Sequence, residues 1–211
     1  PRYKFMTEHF AKLEGMPAER IYQEVMQLVP KVQASFLLDT LEFMHAGGRC
    51  SSITRLGATD IKASGDSYAG AMIGYAKSGT VSKCFVTGEV EAGSICAGGF
   101  VGENAGATIT DCYALVRVSN PAHCATGGFV GKNSGTIKHV YATGSVSGYE
   151  YVGGVAGANY GALSGAVAVN NSVRSSGGSF LGRHGGNANS ENSGSDNLAW
   201  TALDSGTHGY A

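Results

Sequence analysis

Side chains able to do chemistry are spread thinly along this chain. The six histidines are His9, His45, His123, His139, His184 and His208, and none forms a His-Glu-x-x-His pair that would hold a peptidase zinc on one helix face. No Gly-x-Ser-x-Gly elbow precedes an Asp and a His in a usable order. The glycine-rich part offers the carboxylates Glu89, Glu91, Glu103, Asp111 and Glu150. Acid–base work on a glycosidic bond needs two such groups at one cleft, and this spacing concentrates none. The expectation is therefore no catalytic residue, no cofactor and no metal: not an enzyme. Glu89 and Arg117 each stand one residue before a recurrent valine, which predicts an ion pair between neighbouring repeats.

The five cysteines are Cys50, Cys84, Cys96, Cys112 and Cys124. Cys84 and Cys112 occupy one repeat position, and Cys96 and Cys124 nearly share another. No Cys-x-x-Cys spacing favours a metal. Two uses remain open: reduced core residues, or disulfides between adjacent rungs, which parallel Cβ directions would strain. Cys50 is left over in either scheme, free for a bond to another chain. Tyr75, Tyr149 and Tyr160, with Tyr68 and Tyr151, fall near corners where exposed rings would touch a sugar or protein partner, or else pack over glycine gaps.

The elements that position these residues divide into two compositional halves. Of 33 glycines only Gly15, Gly47, Gly48 and Gly57 precede residue 65, whereas 15 of the 31 charged side chains fall within the first 64 residues. Phe10 and Leu13, then Ile21, Val25 and Leu28, then Val32, Phe36 and Phe43 recur at helical spacing, punctuated by Gly15, Pro17, Pro30 and Gly47-Gly48. Residues 1–47 thus read as a helical segment that caps or docks the rest, and 48–69 as a linker and the entry to the solenoid. A formal net charge of −1 offers no basic field for nucleic acid or an anionic membrane, and no apolar run reaches the roughly 18 residues of a membrane span.

From Gly70 onward the sequence repeats. Gly70-Ala-Met-Ile-Gly74, Gly99-Phe-Val-Gly102, Gly128-Phe-Val-Gly131, Gly154-Val-Ala-Gly157 and Ser179-Phe-Leu-Gly182 open successive units of 25–29 residues. Short apolar strands alternate with Gly-Asn and Gly-Thr corners, which is β chemistry. One unit cannot bury its own apolar face, so units must stack, with like residues about 4.8 Å apart. The ladders this predicts are Val90, Val118, Val146 and Val173 in the core; Phe85, Tyr113 and Tyr141; and Asn104, Asn133 and Asn159 at a corner, bonding amide to amide. The fold class is mainly β: a parallel β-helix-like solenoid of about five repeats over 70–202, with the N-terminal α-helical segment before it and a tail over 203–211.

Gly127-Gly-Phe-Val-Gly-Lys-Asn-Ser-Gly-Thr-Ile137, followed by Tyr141-Ala-Thr-Gly-Ser-Val146, resembles the GLUG motif of bacterial surface proteins. The resemblance covers about residues 68–202. It implies an extracellular or cell-surface, structural or adhesive repeat module without a defined ligand. Open solenoid ends add an expectation of self-assembly, as a homo-oligomer or filament; a host or cell-surface protein or a glycan is the other expected partner. A carbohydrate-binding or polysaccharide-active β-helix is the alternative reading.

Overall fold

In the computed structural model the described residues are 52–93, 95–177, 181–182, 196–199, 204–205 and 209–210. Among them are strands and no helix. The helical segment expected over 1–47 and the leftover Cys50 lie outside the described residues.

Each turn of the chain is built from short runs in which every second side chain is apolar, such as Thr108-Ile109-Thr110, separated by corners. The first coil is β1 (Ser52–Thr54), β2 (Gly57–Ala63), β3 (Tyr68–Gly70) and β4 (Ile73–Ala76). The second is β5 (Thr80–Ser82), β6 (Phe85–Glu91), β7 (Cys96–Gly98) and β8 (Val101–Asn104). In the third, β9 (Thr108–Thr110) is followed by β10 (Tyr113–Gly127), which runs through two faces, and β11 (Val130–Asn133). The fourth is β12 (Thr136–Gly153) and β13 (Ala156–Asn159); the fifth is β14 (Ala162–Ser175) and β15 (Leu181–Gly182). Finally β16 (Leu198–Ala199), β17 (Asp204–Ser205) and β18 (Gly209–Tyr210) begin another turn on β14 and β15. All pairings are parallel, in one 14-stranded and one 4-stranded sheet, so the solenoid is of the parallel β-helix kind with about five turns.

The core is filled by residues stacked coil on coil. Val90, Val118, Val146 and Val173 are in register and fully buried. Phe100 and Phe129 stack inside at 4.8 Å between ring centroids, between Met72 and Val155. Such files give each coil its apolar partners only in its neighbours, so stability is shared between coils.

One corner recurs with the same backbone. Arg55, Lys83, Asp111, His139, Gly165 and Asp196 all take left-handed conformations, with φ between 51° and 63°. An L-residue there costs about 1–2 kcal/mol. The compensation is a regular hydrogen bond to the next coil: Arg55 N–H to Ser82 O (3.0 Å), Lys83 N–H to Thr110 O (3.2 Å) and Asp111 N–H to Lys138 O (3.1 Å). Another corner tolerates length differences. Between paired positions the chain takes six residues from Glu91 to Ala97, seven from Ser119 to Thr126 and five from Ser147 to Val152. Pro121, Ala122 and His123, which stand opposite the single residue Tyr149, are exposed.

Three sequence expectations shift. From Ser52 on, the stretch read as a linker is itself a coil, with β2 paired to β6 from Gly57↔Phe85 to Ala63↔Val90. Its left-handed corner is Arg55, a non-glycine residue like Lys83, Asp111 and His139 in the coils that follow, and no Gly-Phe-Val-Gly motif marks its strands. The tail over 203–211 contributes β17 and β18. Gly182 pairs with Gly153, four residues before the Gly157 position suggested by the repeat alignment.

Candidate functional site

Polar and aromatic side chains gather in files that run along the solenoid axis. Asn104, Asn133 and Asn159 end successive strands β8, β11 and β13 in exact register and are buried. Asn104 Nδ2 donates to Asn133 Oδ1 (2.9 Å), and Asn133 Nδ2 to Asn159 Oδ1 (2.7 Å). Their free capacity closes the corner that follows: Asn104 Nδ2 reaches Ala107 O (3.1 Å) and its Oδ1 accepts from Ala107 N–H (2.9 Å).

Phe85, Tyr113 and Tyr141 form an outward file. Their rings are nearly parallel, 5.1 and 4.8 Å apart, so each face of the Tyr113 ring is covered by a neighbour. Beside them Glu89 lies between Arg117 and Lys62, with Lys62 Nζ at 3.1 Å. Arg117 first, then Lys62, holds the Glu89 carboxyl below its ordinary range.

Cys84 and Cys112 occupy equivalent positions in the corner after the left-handed residue, and both are buried thiols. Each sulfur ties its coil to the one before. Cys84 Sγ accepts from Leu56 N–H (3.4 Å), and Cys112 Sγ accepts from Cys84 N–H (3.4 Å). Each thiol donates to a carbonyl two residues back, Ser82 O (3.2 Å) and Thr110 O (3.1 Å). The Cys112 thiol beside it draws Cys84 down to about 7, and the same contact pushes Cys112 up. Asn197 takes this position two coils beyond Val140, accepting from Ala166 N–H (2.9 Å) and donating to Leu163 O (2.9 Å). Cys96 is buried, but it precedes Ala97, which is opposite Thr126, so it stands level with Ala125 and not with Cys124. The backbone of Cys124 pairs instead with Glu150.

A mixed cluster forms where the third and fourth faces meet. Tyr75, Glu103, Lys132 and Ala158 are in register down β4, β8, β11 and β13, beside the shorter file Tyr68–Cys96. Lys132 Nζ stands 3.0 Å from Glu103 Oε1; the Glu103 side chain is 9% exposed and that of Lys132 37%. The charge of Glu103, then burial, raises the Tyr68 hydroxyl above its ordinary value, which keeps it a donor beside the carboxylate. Salt-bridging to Glu103 raises Lys132 as well. Tyr68 and Tyr75 lie 5.2 Å apart at 49°. Tyr149 and Tyr160 are exposed elsewhere on the surface and do not join this cluster. Glu103 and Lys132 were legible in principle: Gly-Glu-Asn and Gly-Lys-Asn place opposite charges at one repeat position, the same signal that pairs Glu89 with Arg117.

Among the described residues, no group of three or more His, Cys, Asp or Glu is arranged to hold a metal ion, and no helix is long and apolar enough to cross a membrane. Residues 93–119 and 122–147 match the GLUG motif, so the chain carries adjacent GLUG repeats. The solenoid is similar to the crystal structure of a candidate immunoglobulin A1 protease from Bacteroides ovatus, with a TM-score of 0.64 and 26% identity. The match covers 73% of this chain and 53% of that one, so this chain spans about half the length of that protein. No curated protein matches the sequence.

Proposed function

We propose that this GLUG-repeat solenoid is a non-catalytic extracellular or cell-surface module, a rigid spacer whose outer faces adhere to a partner and to further copies of itself. The observation that carries this reading is the direction of its side-chain bonding. The asparagine amides, aromatic rings and Glu–Lys and Glu–Arg pairs join one coil to the next, stiffening the array along its axis. Acidic side chains that a hydrolase would keep poised are committed to such ties: Glu89 to Arg117 and Lys62, Glu103 to Lys132, and Asp111 to His139 at 3.3 Å. The Tyr149 and Tyr160 rings, 44% and 64% exposed, are suited to partner contact. A host protein as partner is in keeping with the immunoglobulin named in the description of the Bacteroides ovatus neighbour.

Two measurements test the reading. Protease shaving of intact cells should release the solenoid into the medium as a resistant fragment; retention inside the cell would refute surface display. Light scattering of the purified protein, with and without reductant, should give a species larger than one chain. A monomer under both conditions would remove self-association and leave the displayed module.

A further inference from the structure

The two aromatic groups on the surface differ in what they leave open. In the Phe85–Tyr113–Tyr141 file the rings cover one another, at interplanar angles of 10° and 7°. A ligand that packs against a ring face finds the central one occupied on both sides. Tyr68 and Tyr75 are splayed by 49°, and Tyr68 is 38% exposed, so this pair forms a wedge with ring surface available. In the file below Tyr75 come Glu103 and then Lys132, a bonded acid and base from two further coils.

We propose that Tyr68, Tyr75, Glu103 and Lys132 form a binding subsite for a neutral pyranose unit of a glycan. A pyranose offers an apolar C–H face, which suits an amphipathic aromatic surface, and a rim of hydroxyls that both donate and accept. The wedge meets the first need. Beside it the second is met by the Lys132 ammonium, which donates from a side chain 37% exposed, while Glu103, 9% exposed, is spent on holding it in place. Charge decides between neutral and ionic ligands. Glu103 and Lys132 neutralise each other at 3.0 Å, so the site holds no net charge for a uronate, sialate or phosphate. The Tyr68 hydroxyl gives its single proton to Glu103, so its oxygen is left as an acceptor at the lip.

This names a ligand for the adhesive reading above and rests on that reading only for where the glycan is met. The test is an array of neutral and acidic glycans probed with the purified protein, followed by calorimetry on the strongest neutral oligosaccharide. Binding to neutral pyranose oligomers is expected, with Tyr68→Ala weakening it about tenfold and Leu198→Ala, at an exposed position outside the subsite, leaving it unchanged. Circular dichroism verifies that both variants are folded. Should Tyr68→Ala unfold the protein, Tyr75→Ala serves as the second variant, with a similar loss expected. No binding to any neutral glycan, preference for acidic ones, or full affinity in the folded Tyr68→Ala protein overturns the proposal. Glycan failure with surface exposure intact removes the subsite alone; glycan binding by a protein held inside the cell removes the display reading alone.

Discussion

Asn133 carries four side-chain hydrogen bonds, and its removal should expose how the coils are joined. Its Nδ2 donates to Asn159 Oδ1 at 2.7 Å and lies 3.3 Å from Ala162 O; its Oδ1 accepts from Asn104 Nδ2 at 2.9 Å and Gly135 N–H at 3.2 Å. With no exposed surface, Asn133 sits where water cannot replace these partners without a rearrangement. Four bonds at about 1 kcal/mol each give about 4 kcal/mol. Asn104 Nδ2 keeps Ala107 O at 3.1 Å after the change, and the contact to Ala162 O is long, which lowers the figure to about 3 kcal/mol. That is a large share of the roughly 5–15 kcal/mol of a typical domain. Urea titration of Asn133→Ala, followed by circular dichroism, should lower the midpoint correspondingly at a similar slope. A double-mutant cycle with Asn104→Ala should return a coupling of at least about 0.5 kcal/mol, as expected for residues in contact. A loss under about 1 kcal/mol together with no coupling would refute the view that the amide file binds the coils.

Gly102→Ala should destabilise by about 3 kcal/mol in the same assay, because a Cβ there would stand 2.6 Å from Gly74 O and 2.8 Å from Ala69 N, both backbone atoms. Cys112→Val should cost about 1–2 kcal/mol by stranding the buried Cys84 N–H. Cys112→Asn should recover part of that loss, because Asn197 fills the equivalent position; equal midpoints for the Val variant and the parent protein would argue against the thiol as a tie. The Glu89 carboxyl is held below its ordinary value of 4.5, chiefly by Arg117. Its contribution is therefore present above that value and lost as pH falls through the lower folded one, since the unfolded chain takes up the proton first. The urea midpoint of Glu89→Gln should accordingly fall less steeply on acidification than that of the parent; parallel curves would contradict the assignment.

How much could be read from the residues alone varied with how the position repeats. The asparagine, valine and aromatic files were legible because each is a motif position recurring at a nearly constant step, and parallel stacking turns recurrence into contact. The first coil was not legible. Ser52-Ile53-Thr54 and Gly57 to Ala63 lack the Gly-Phe-Val-Gly signature, and the backbone requirement that remains, one left-handed corner, is met by Arg55. With that coil hidden, Tyr68 had no assigned place, and the cluster it makes with Tyr75, Glu103 and Lys132 went unseen. The Cys corner was half legible. The equivalence of Cys84 and Cys112 is plain in the repeats, but that sulfur and the amide of Asn197 do one job emerges only from their hydrogen bonds. Gly182 misled because Ser179-Phe180-Leu181-Gly182 imitates the Gly-Phe-Val-Gly pattern four residues early; its step from Gly153 is 29 residues, the same as from Gly98 to Gly127.

The corner of four to six residues between Ser147 and Val152, Glu91 and Ala97, and Ser119 and Thr126 carries an evolutionary consequence. Elsewhere the departures from strict pairing are single-residue bulges, between Ala58 and Ile61 and opposite Gly144 and Ser145, after which the files regain step. At this corner the chain leaves the register and regains it: β10 absorbs Pro121, Ala122 and His123 as an exposed bulge and still delivers Thr126 opposite Ala97 and Val152. Insertions here meet solvent instead of backbone, and the cost of lengthening a loop grows only logarithmically. Successive coils can thus acquire different loops in one line along the solenoid while the ladders beneath stay unchanged. Selection can then diversify what the protein meets without renegotiating how it folds.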